Sequence, residues 1–388
     1  MKIAFLSIIF LLPLAAIAQE MPDAKDRLKA VEDRLTALEG APAKTSLSAF
    51  NPAMGMSIDM AFKNTDGKNS FLFRAAELNI EAPIDPYLKG WAIITASNGN
   101  PAIDAEEATL ETTSLPYNLT VRGGRLFADF GRLAHFHDHE LPVIDRPRSL
   151  DSYIGGETRA DGLEASVLFP MDTYLNATFG AYDKMGAGNA RQDPAGSRSG
   201  YEFTYLSRLH AYFDLTDNHS VDLGISEAWT PKRFMSDTAG LGINTFKNTW
   251  RTLTGMDLTY RYVPVSGGVY RNIIWGTEAL VNNERRFSAN NLPTDRVRAF
   301  AGYSYVQFKL GLHWRPGVMV DMTEDQDTAR SITKTYTGFL TYDVTEFQRL
   351  RATYARAINN VPGRLKSDTV GLQWTGILGH HVHGFRDR

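Results

Sequence analysis

Five side chains able to bind a metal ion lie close together in the sequence. They are three histidines at alternate positions with two neighbouring acids: His135, His137, His139, Asp138 and Glu140. In an extended segment the three rings point the same way, whereas in a helical turn only His135 and His139 share a face. Imidazoles with nearby carboxylates suit zinc, copper or nickel. The pattern makes these residues a candidate metal site, with zinc as the candidate ion. The alternative is that the histidines are ordinary polar loop residues.

The sequence offers little for catalysis. It contains no G-x-S-x-G or H-E-x-x-H motif and no glycine loop of the kind that binds phosphate. There are no cysteines, which excludes disulfides and thiol chemistry. The 41 Lys and Arg residues nearly balance the 44 Asp and Glu residues, which argues against a nucleic-acid partner. We therefore predict a protein that is not an enzyme and requires no cofactor.

The first 18 residues read as a secretory signal peptide. Lys2 supplies the positive start, residues 3–17 are almost wholly apolar, and Ala16-Ile17-Ala18 matches a cleavage site. The apolar run is too short to span a membrane. We expect the chain to be exported and cleaved after residue 18.

Residues 19–45 are predicted to form a short helix and a linker. Apolar residues recur there at intervals of four and three, as in a coiled-coil seam: Ala24, Leu28, Val31, Leu35 and Leu38. Two heptads are too short to associate alone, so we expect this helix to assist the assembly of chains that are already held together. The alternative is an amphipathic helix packed on its own domain.

From Phe50 onward, apolar and polar residues alternate with a period of two, which indicates strands. Each predicted strand has close to the ten residues that a tilted membrane strand needs. We predict about sixteen, at 53–63, 70–82, 87–97, 105–114, 119–127, 157–169, 173–183, 201–214, 220–230, 248–262, 269–281, 296–307, 311–321, 331–343, 347–357 and 367–378.

Short connections alternate with longer polar ones, such as Lys184–Gly200 and Pro231–Lys247. This rhythm is typical of an outer-membrane barrel, which has tight periplasmic turns and long external loops. A sheet in lipid must close so that every backbone group is paired. Residues 46–388 are therefore predicted to form an all-β, antiparallel transmembrane barrel. The alternative is a large secreted β protein, but a solenoid would show a fixed repeat and a sandwich would expose a polar outer face.

The histidine segment falls in the longest of the external connections, at about residues 128–155. A loop of this kind folded into the lumen would narrow it, and opposed charges at a narrow point select among solutes. The candidate constriction residues are Arg125, Asp129, Arg132, Asp145, Arg146 and Arg148. The alternative is a solvated external loop with incidental ion pairs.

The segment from Gly124 to Pro147 carries the most specific motif, G-R-x-x-A-x-F-G-R-L followed by H-x-H and L-P-x-x-D-R-P. With it, residues 50–183 strongly resemble porin-like proteins often labelled zinc-regulated (TonB-dependent) outer-membrane receptors. More remotely they resemble the phosphate-selective porins. The resemblance implies a signal peptide, a short coiled coil, an outer-membrane barrel and a link to zinc shortage.

Two features depart from that family pattern. Between Gln19 and Phe50 there is no room for a plug domain, which favours passive diffusion over TonB-driven transport. In addition, Phe385 is followed by Arg386-Asp387-Arg388, whereas such barrels usually end on an aromatic residue.

Together these features predict a trimeric porin embedded in the outer-membrane lipid of a Gram-negative bacterium. It would pass small hydrophilic solutes or ions and assist the uptake of zinc or another divalent metal. The alternative is a metal-binding receptor or a structural barrel that does not conduct.

Overall fold

The computed structural model describes residues 52–98, 103–186, 199–232, 250–285, 297–326, 328 and 330–379. The predicted signal peptide (1–18) and the predicted coiled-coil segment (19–45) lie outside the described residues, and both stay predictions. Among the helices of the described residues, none is long and apolar enough to cross a membrane.

The described residues form sixteen antiparallel strands. Their bounds are β1 Ala53–Thr65, β2 Lys68–Pro83, β3 Leu88–Ala96, β4 Ile103–Thr112, β5 Leu119–Phe127, β6 Arg159–Leu168, β7 Tyr174–Tyr182, β8 Thr204–Thr216, β9 His219–Thr230, β10 Arg251–Tyr262, β11 Arg271–Glu284, β12 Val297–Leu310, β13 Trp314–Glu324, β14 Ile332–Thr345, β15 Gln348–Asn359 and β16 Lys366–Gly379. Each strand pairs with its neighbours in sequence, and β1 pairs with β16, which closes the barrel. The predicted sixteen-stranded barrel is confirmed.

Strand β1 shows why the sequence folds this way. Ser57 and Asp59 are 1% and 2% exposed and face the interior, whereas Met60 points outward and is 40% exposed. Phe71, on the neighbouring strand β2, is 88% exposed on the same outer surface. Because side chains alternate across a strand, a period of two gives one polar inner wall and one apolar outer wall.

The connections differ at the two ends of the barrel. At one end they are short, as between β8 and β9 or β14 and β15. At the other end lies the longest, residues 128–158 between β5 and β6. It contains a 3₁₀ turn at Asp138–Glu140 and a short helix, α1, at Arg148–Tyr153. We call residues 128–158 the inner loop.

The inner loop lies inside the barrel. The Thr178 hydroxyl of β7 donates to Asp129 at 2.8 Å, and the backbone N–H of Ser149 donates to Asp321 of β13 at 2.9 Å. These two strands lie on different sides of the closed barrel, so the loop crosses the lumen. Its apolar side chains pack with the inner wall into a buried core that includes Leu126, Phe130, Leu133, Leu141, Leu150, Tyr153, Leu253, Ile274, Tyr303, Tyr305, Met319 and Phe339.

Candidate functional site: the loop inside the barrel

A single glycine allows the inner loop to approach the wall. Gly131 has a φ of 65°, in the region that favours glycine. A Cβ at this position would lie 2.0 Å from the Glu278 carboxylate. The close approach lets the backbone N–H of Arg132 donate to that carboxylate at 3.1 Å. The backbone N–H of Gly131 donates to the Ser226 hydroxyl at 3.2 Å.

Two buried arginines of the predicted constriction set hold the loop in place. Arg132 donates to the Tyr305 hydroxyl at 2.9 Å and also to the Thr259 hydroxyl, which ties the loop to β12 and β10. Arg146 donates to the backbone carbonyl of Leu133 at 2.8 Å and to the carboxylate of Glu157 at 3.2 Å. A guanidinium presents five donors in a rigid fork, which suits this cross-linking. Both residues are 7% exposed, and their hydrogen bonds position the loop.

Three other residues of that set lie nearer to open space. Asp145 pairs with Lys63 and lies 3.6 Å from Arg74, and its side chain is 55% exposed. Arg148 is exposed at the start of α1. Asp129 lies 3.3 Å from Arg208 of β8, and its side chain is 24% exposed. The side chains of these three are therefore more accessible than those of Arg132 and Arg146.

Arg125 lies apart from the others. It pairs with Asp161 at 2.7 Å and with Asp104 at 3.2 Å, near the long-connection end of the sheet. Asp161 is on the same face of β6 as Leu163, which is 64% exposed on the outer wall. The structure therefore places Arg125 at the long-connection end of the sheet, in ion pairs of its own.

Two cavities lie on either side of the inner loop. One, of about 450 Å³, is towards the short-turn end and is lined by residues that include Lys89, Glu111, Arg122 and His137. The other, of about 270 Å³, is towards the long-connection end, and its lining includes Arg148. Charged side chains therefore line a cavity on each side of the loop.

The five predicted metal ligands do not come together as a set. Asp138 lies in ion pairs with Arg74 and Arg146, at 3.1 and 2.9 Å. Glu140 accepts a hydrogen bond from the backbone N–H of His137 at 3.2 Å. The rings of His135 and Phe136 lie 4.4 Å apart beside the larger cavity.

Local backbone geometry explains why the five predicted ligands do not converge on one point. A 3₁₀ turn begins after His137, so alternate residues no longer point to one side as they would in an extended segment. The rings of His137 and His139 do stack, with their centroids 5.7 Å apart.

Three glutamates of the barrel wall surround these two histidines. The His137 Nδ1 atom lies 3.4 Å from Glu106 and 3.7 Å from Glu77, and its Nε2 atom lies 3.2 Å from Glu107. The His139 Nδ1 atom lies 3.2 Å from Glu77. All five residues are less than 9% exposed. We call Glu77, Glu106, Glu107, His137 and His139 the acid–histidine cluster.

The cluster has a strong electrostatic bias. Burial alone would lower the pKa of His137, but the carboxylates of Glu106 and Glu77 outweigh burial and raise that pKa well above its ordinary value. Burial also opposes protonation of His139, but the Glu77 carboxylate outweighs burial and raises the pKa of His139. The cluster therefore attracts positive charge.

Sequence reasoning missed the glutamates, although β4 carries a signal. Glu106 and Glu107 are adjacent, so a regular strand would turn one of them towards lipid. The structure avoids this with a bulge, since Ile93 pairs with Glu107 and Ile94 pairs with Ala105. Two consecutive acids in a membrane strand indicate such a bulge and two inward carboxylates.

A basic wall lies on another arc of the barrel. Arg315 and Arg349 each donate to Asp343 at 2.6 Å. Arg351 donates to the backbone carbonyl of Val143 in the inner loop at 3.3 Å. The loop thus runs between an acidic arc on β2–β4 and a basic arc on β13–β15, and this arrangement creates a field across the lumen.

Comparison with known proteins bears on the fold. No family model matches the sequence. An uncharacterized protein of Aquifex aeolicus is 24% identical over 399 residues, which cover 90% of this chain and 83% of that protein. The OmpT outer-membrane protein of Vibrio cholerae superposes with a TM-score of 0.56 at 11% identity, covering 85% of this chain and 98% of that one. An anion-selective porin from Comamonas acidovorans gives a TM-score of 0.55 at 11% identity, covering 85% and 99%.

The chain has the porin fold. Pseudomonas putida OprB shares this fold as well. It superposes with a TM-score of 0.54 at 10% identity, covering 88% of this chain and 97% of that one. These similarities do not support the zinc-regulated, TonB-dependent receptor name that the sequence resemblance suggested. At such low identity the porin fold is what is shared, and solute choice has to be argued from the lumen of this chain.

Proposed function

We propose that this chain is an outer-membrane channel for the passive diffusion of small hydrophilic solutes or ions. The observation that carries the proposal is the inner loop, which crosses the lumen of a closed sixteen-stranded barrel. Barrels of this size leave an aqueous lumen, so a loop across it sets the width of the path. The two cavities on either side of the loop are the vestibules that a solute would cross.

The charges that line the path would set its selectivity. Acidic and basic arcs in a narrow lumen focus the local potential and favour solutes whose charges match them. Asp145 and Arg148, near the long-connection end, are the first charges that an entering solute would meet. No energised step is required, because diffusion through such a path needs only a gradient.

The proposal extends to the surroundings of the barrel. The apolar outer wall would contact outer-membrane lipid after export through the cleaved signal peptide. We also propose a homotrimer, since one solved structure of Vibrio cholerae OmpT, with a TM-score of 0.53, is described as a trimer form. A role in divalent-metal uptake would follow if the acidic arc concentrates cations.

The test is single-channel conductance in planar lipid bilayers, with and without the inner loop. The backbone N–H of Ala128 donates to the carbonyl of Thr158 at 3.0 Å, so a two-residue Asn-Gly turn can replace residues 129–157 and join the strands as a hairpin. We expect stepwise conductance from the unmodified protein and a severalfold larger step from the loop-free variant. The gel mobility of unheated samples checks that both barrels have folded.

Two results would contradict the proposal. If neither folded protein shows conductance, a receptor or structural barrel that does not conduct would be favoured. If the unmodified protein shows no conductance but the loop-free variant conducts, the inner loop is a plug.

A further inference from the structure

We propose that Glu77, Glu106 and His137 form a binding site for a divalent transition-metal cation, built jointly by the barrel wall and the inner loop. One donor atom from each of these three residues lies within 4.8 Å of the other two. A single ion can therefore reach all three with small side-chain movements. The site is independent of conduction, so it can exist whether or not the barrel conducts.

The second layer of residues fits a metal site as well. With its Nδ1 atom towards Glu106 and Glu77, His137 has its Nε2 atom 3.2 Å from Glu107. A ligand histidine usually donates its other N–H to a carboxylate, which fixes the ring and raises its basicity. His139 lies 3.2 Å from Glu77 and would hold that carboxylate in the same way.

The net charge of the acid–histidine cluster also favours the binding of a cation. With its three carboxylates ionised, the cluster carries net negative charge even when both imidazoles are protonated. The guanidiniums nearby are already engaged, Arg74 with Asp59 at 2.7 Å and Arg146 with Asp138 at 2.9 Å. Buried net charge is costly, and a dication is the compact way to offset it.

The donor set and its location indicate which ions can bind. One imidazole and two carboxylates suit zinc and neighbouring transition metals, whereas calcium and magnesium prefer oxygen donors alone. His137 and Glu107 also line the cavity of about 450 Å³, so an ion can reach the site from the short-turn end.

The test is calorimetric titration of the folded, detergent-purified chain with zinc. In every sample His380, His381 and His383 are replaced by Gln, because that tract would bind zinc by itself. We expect one ion per chain, and weak or no binding of calcium. Glu106→Gln and His137→Gln should abolish this binding. Glu107→Gln should weaken it roughly 10- to 100-fold, as loss of a supporting carboxylate usually does.

Two control variants make the result specific. His210→Gln removes a histidine that pairs with one carboxylate, Asp222, elsewhere on the wall, and it should leave zinc affinity unchanged. His135→Gln should also leave it unchanged. If His135→Gln lowers the zinc affinity and Glu106→Gln does not, the metal ligands are the loop histidines, and the proposal is overturned.

A second measurement covers the case in which the variants do not fold. X-ray absorption at the zinc edge of the protein without cluster substitutions should show nitrogen and oxygen neighbours at about 2.0–2.2 Å, with scattering from one imidazole. Absence of bound zinc, an ion held by water alone, or more than one imidazole neighbour would each overturn the proposal.

Discussion

Asp151, beside the cavity at the long-connection end, is a side chain that would make the selectivity of the proposed channel depend on pH. Partial burial raises the pKa of its carboxyl to about 6, against the lowering effect of Arg146. The acids Asp138, Asp145 and Asp321 contribute to the rise. The group is therefore mostly neutral at pH 5 and mostly ionised at pH 7, so its negative charge appears as the pH rises.

We expect the preference of the channel for cations to increase between pH 5 and pH 7, and Asp151→Asn to remove part of that increase. Reversal potentials in a salt gradient measure it. The other titrating groups are present in both the unmodified protein and the Asp151→Asn variant, so their effects on the reversal potential cancel in the comparison. Asp172→Asn, in a short turn at the other end, is the control. An equal effect of both variants would mean that the change does not arise at Asp151.

At this scale the sequence predicted part of the candidate site. The polarity and spacing of the histidines indicated a place for cations, and His137 and His139 do meet carboxylates. Their partners Glu77 and Glu106 are 60 and 31 residues away from His137 in sequence, and only the closed sheet brings them together. Asp138 was expected beside the rings, but two arginines compete for it successfully because a guanidinium is always charged.

The inner loop is an element with a core of its own. Phe130 is fully buried, and its ring packs so closely on β10 that a Cβ at Gly255 would lie 2.9 Å from it. The strands are also held by the backbone hydrogen bonds of the sheet, whereas the loop depends on side-chain packing and a few anchors. The loop should therefore be able to open without unfolding of the barrel.

Phe130→Ala tests this separation. Loss of a buried phenylalanine costs about 3–5 kcal/mol, and we expect it to lower the opening free energy of amides in residues 128–158. The strand amides should keep their protection. Hydrogen exchange followed by mass spectrometry measures both, and Phe71→Ala on the outer wall is the control. Equal loss of protection in loop and strands would show that they unfold as one unit.

The strands were predictable because their pattern is local. A period of two over about ten residues fixes a strand and its faces, and every predicted strand is present with small shifts at its ends. The path of the inner loop was not predictable, because a loop outside the barrel and a loop inside it are both charged. The sequence feature that favours the inner path is the apolar stretch Leu141–Ile144, which is buried in the structure.

At the scale of the whole molecule, assembly is the open prediction, and it rests on residues outside the described part of the chain. Two heptads associate poorly alone but gain from high local concentration when the barrels are held together. Leu28→Ser with Leu35→Ser should therefore weaken the trimer, whereas Arg27→Ser with Arg34→Ser, off the seam, should not. Mass measurement in mild detergent decides. An unchanged oligomer in both would show that the segment is not needed for assembly.

The seam between the first and last strands has a consequence for how the protein is made. The hydroxyls of Thr65 and Thr369 meet at 3.1 Å across it, although they are 304 residues apart in sequence. Until β16 arrives, β1 and β15 each expose an unpaired edge, and such edges invite wrong partners. Long-range pairing of this kind is also slow to form. If the chain is exported as proposed, it must therefore be kept from aggregating until its last strand is available. A shortened product that lacks β16 would have two open edges in a membrane that tolerates none.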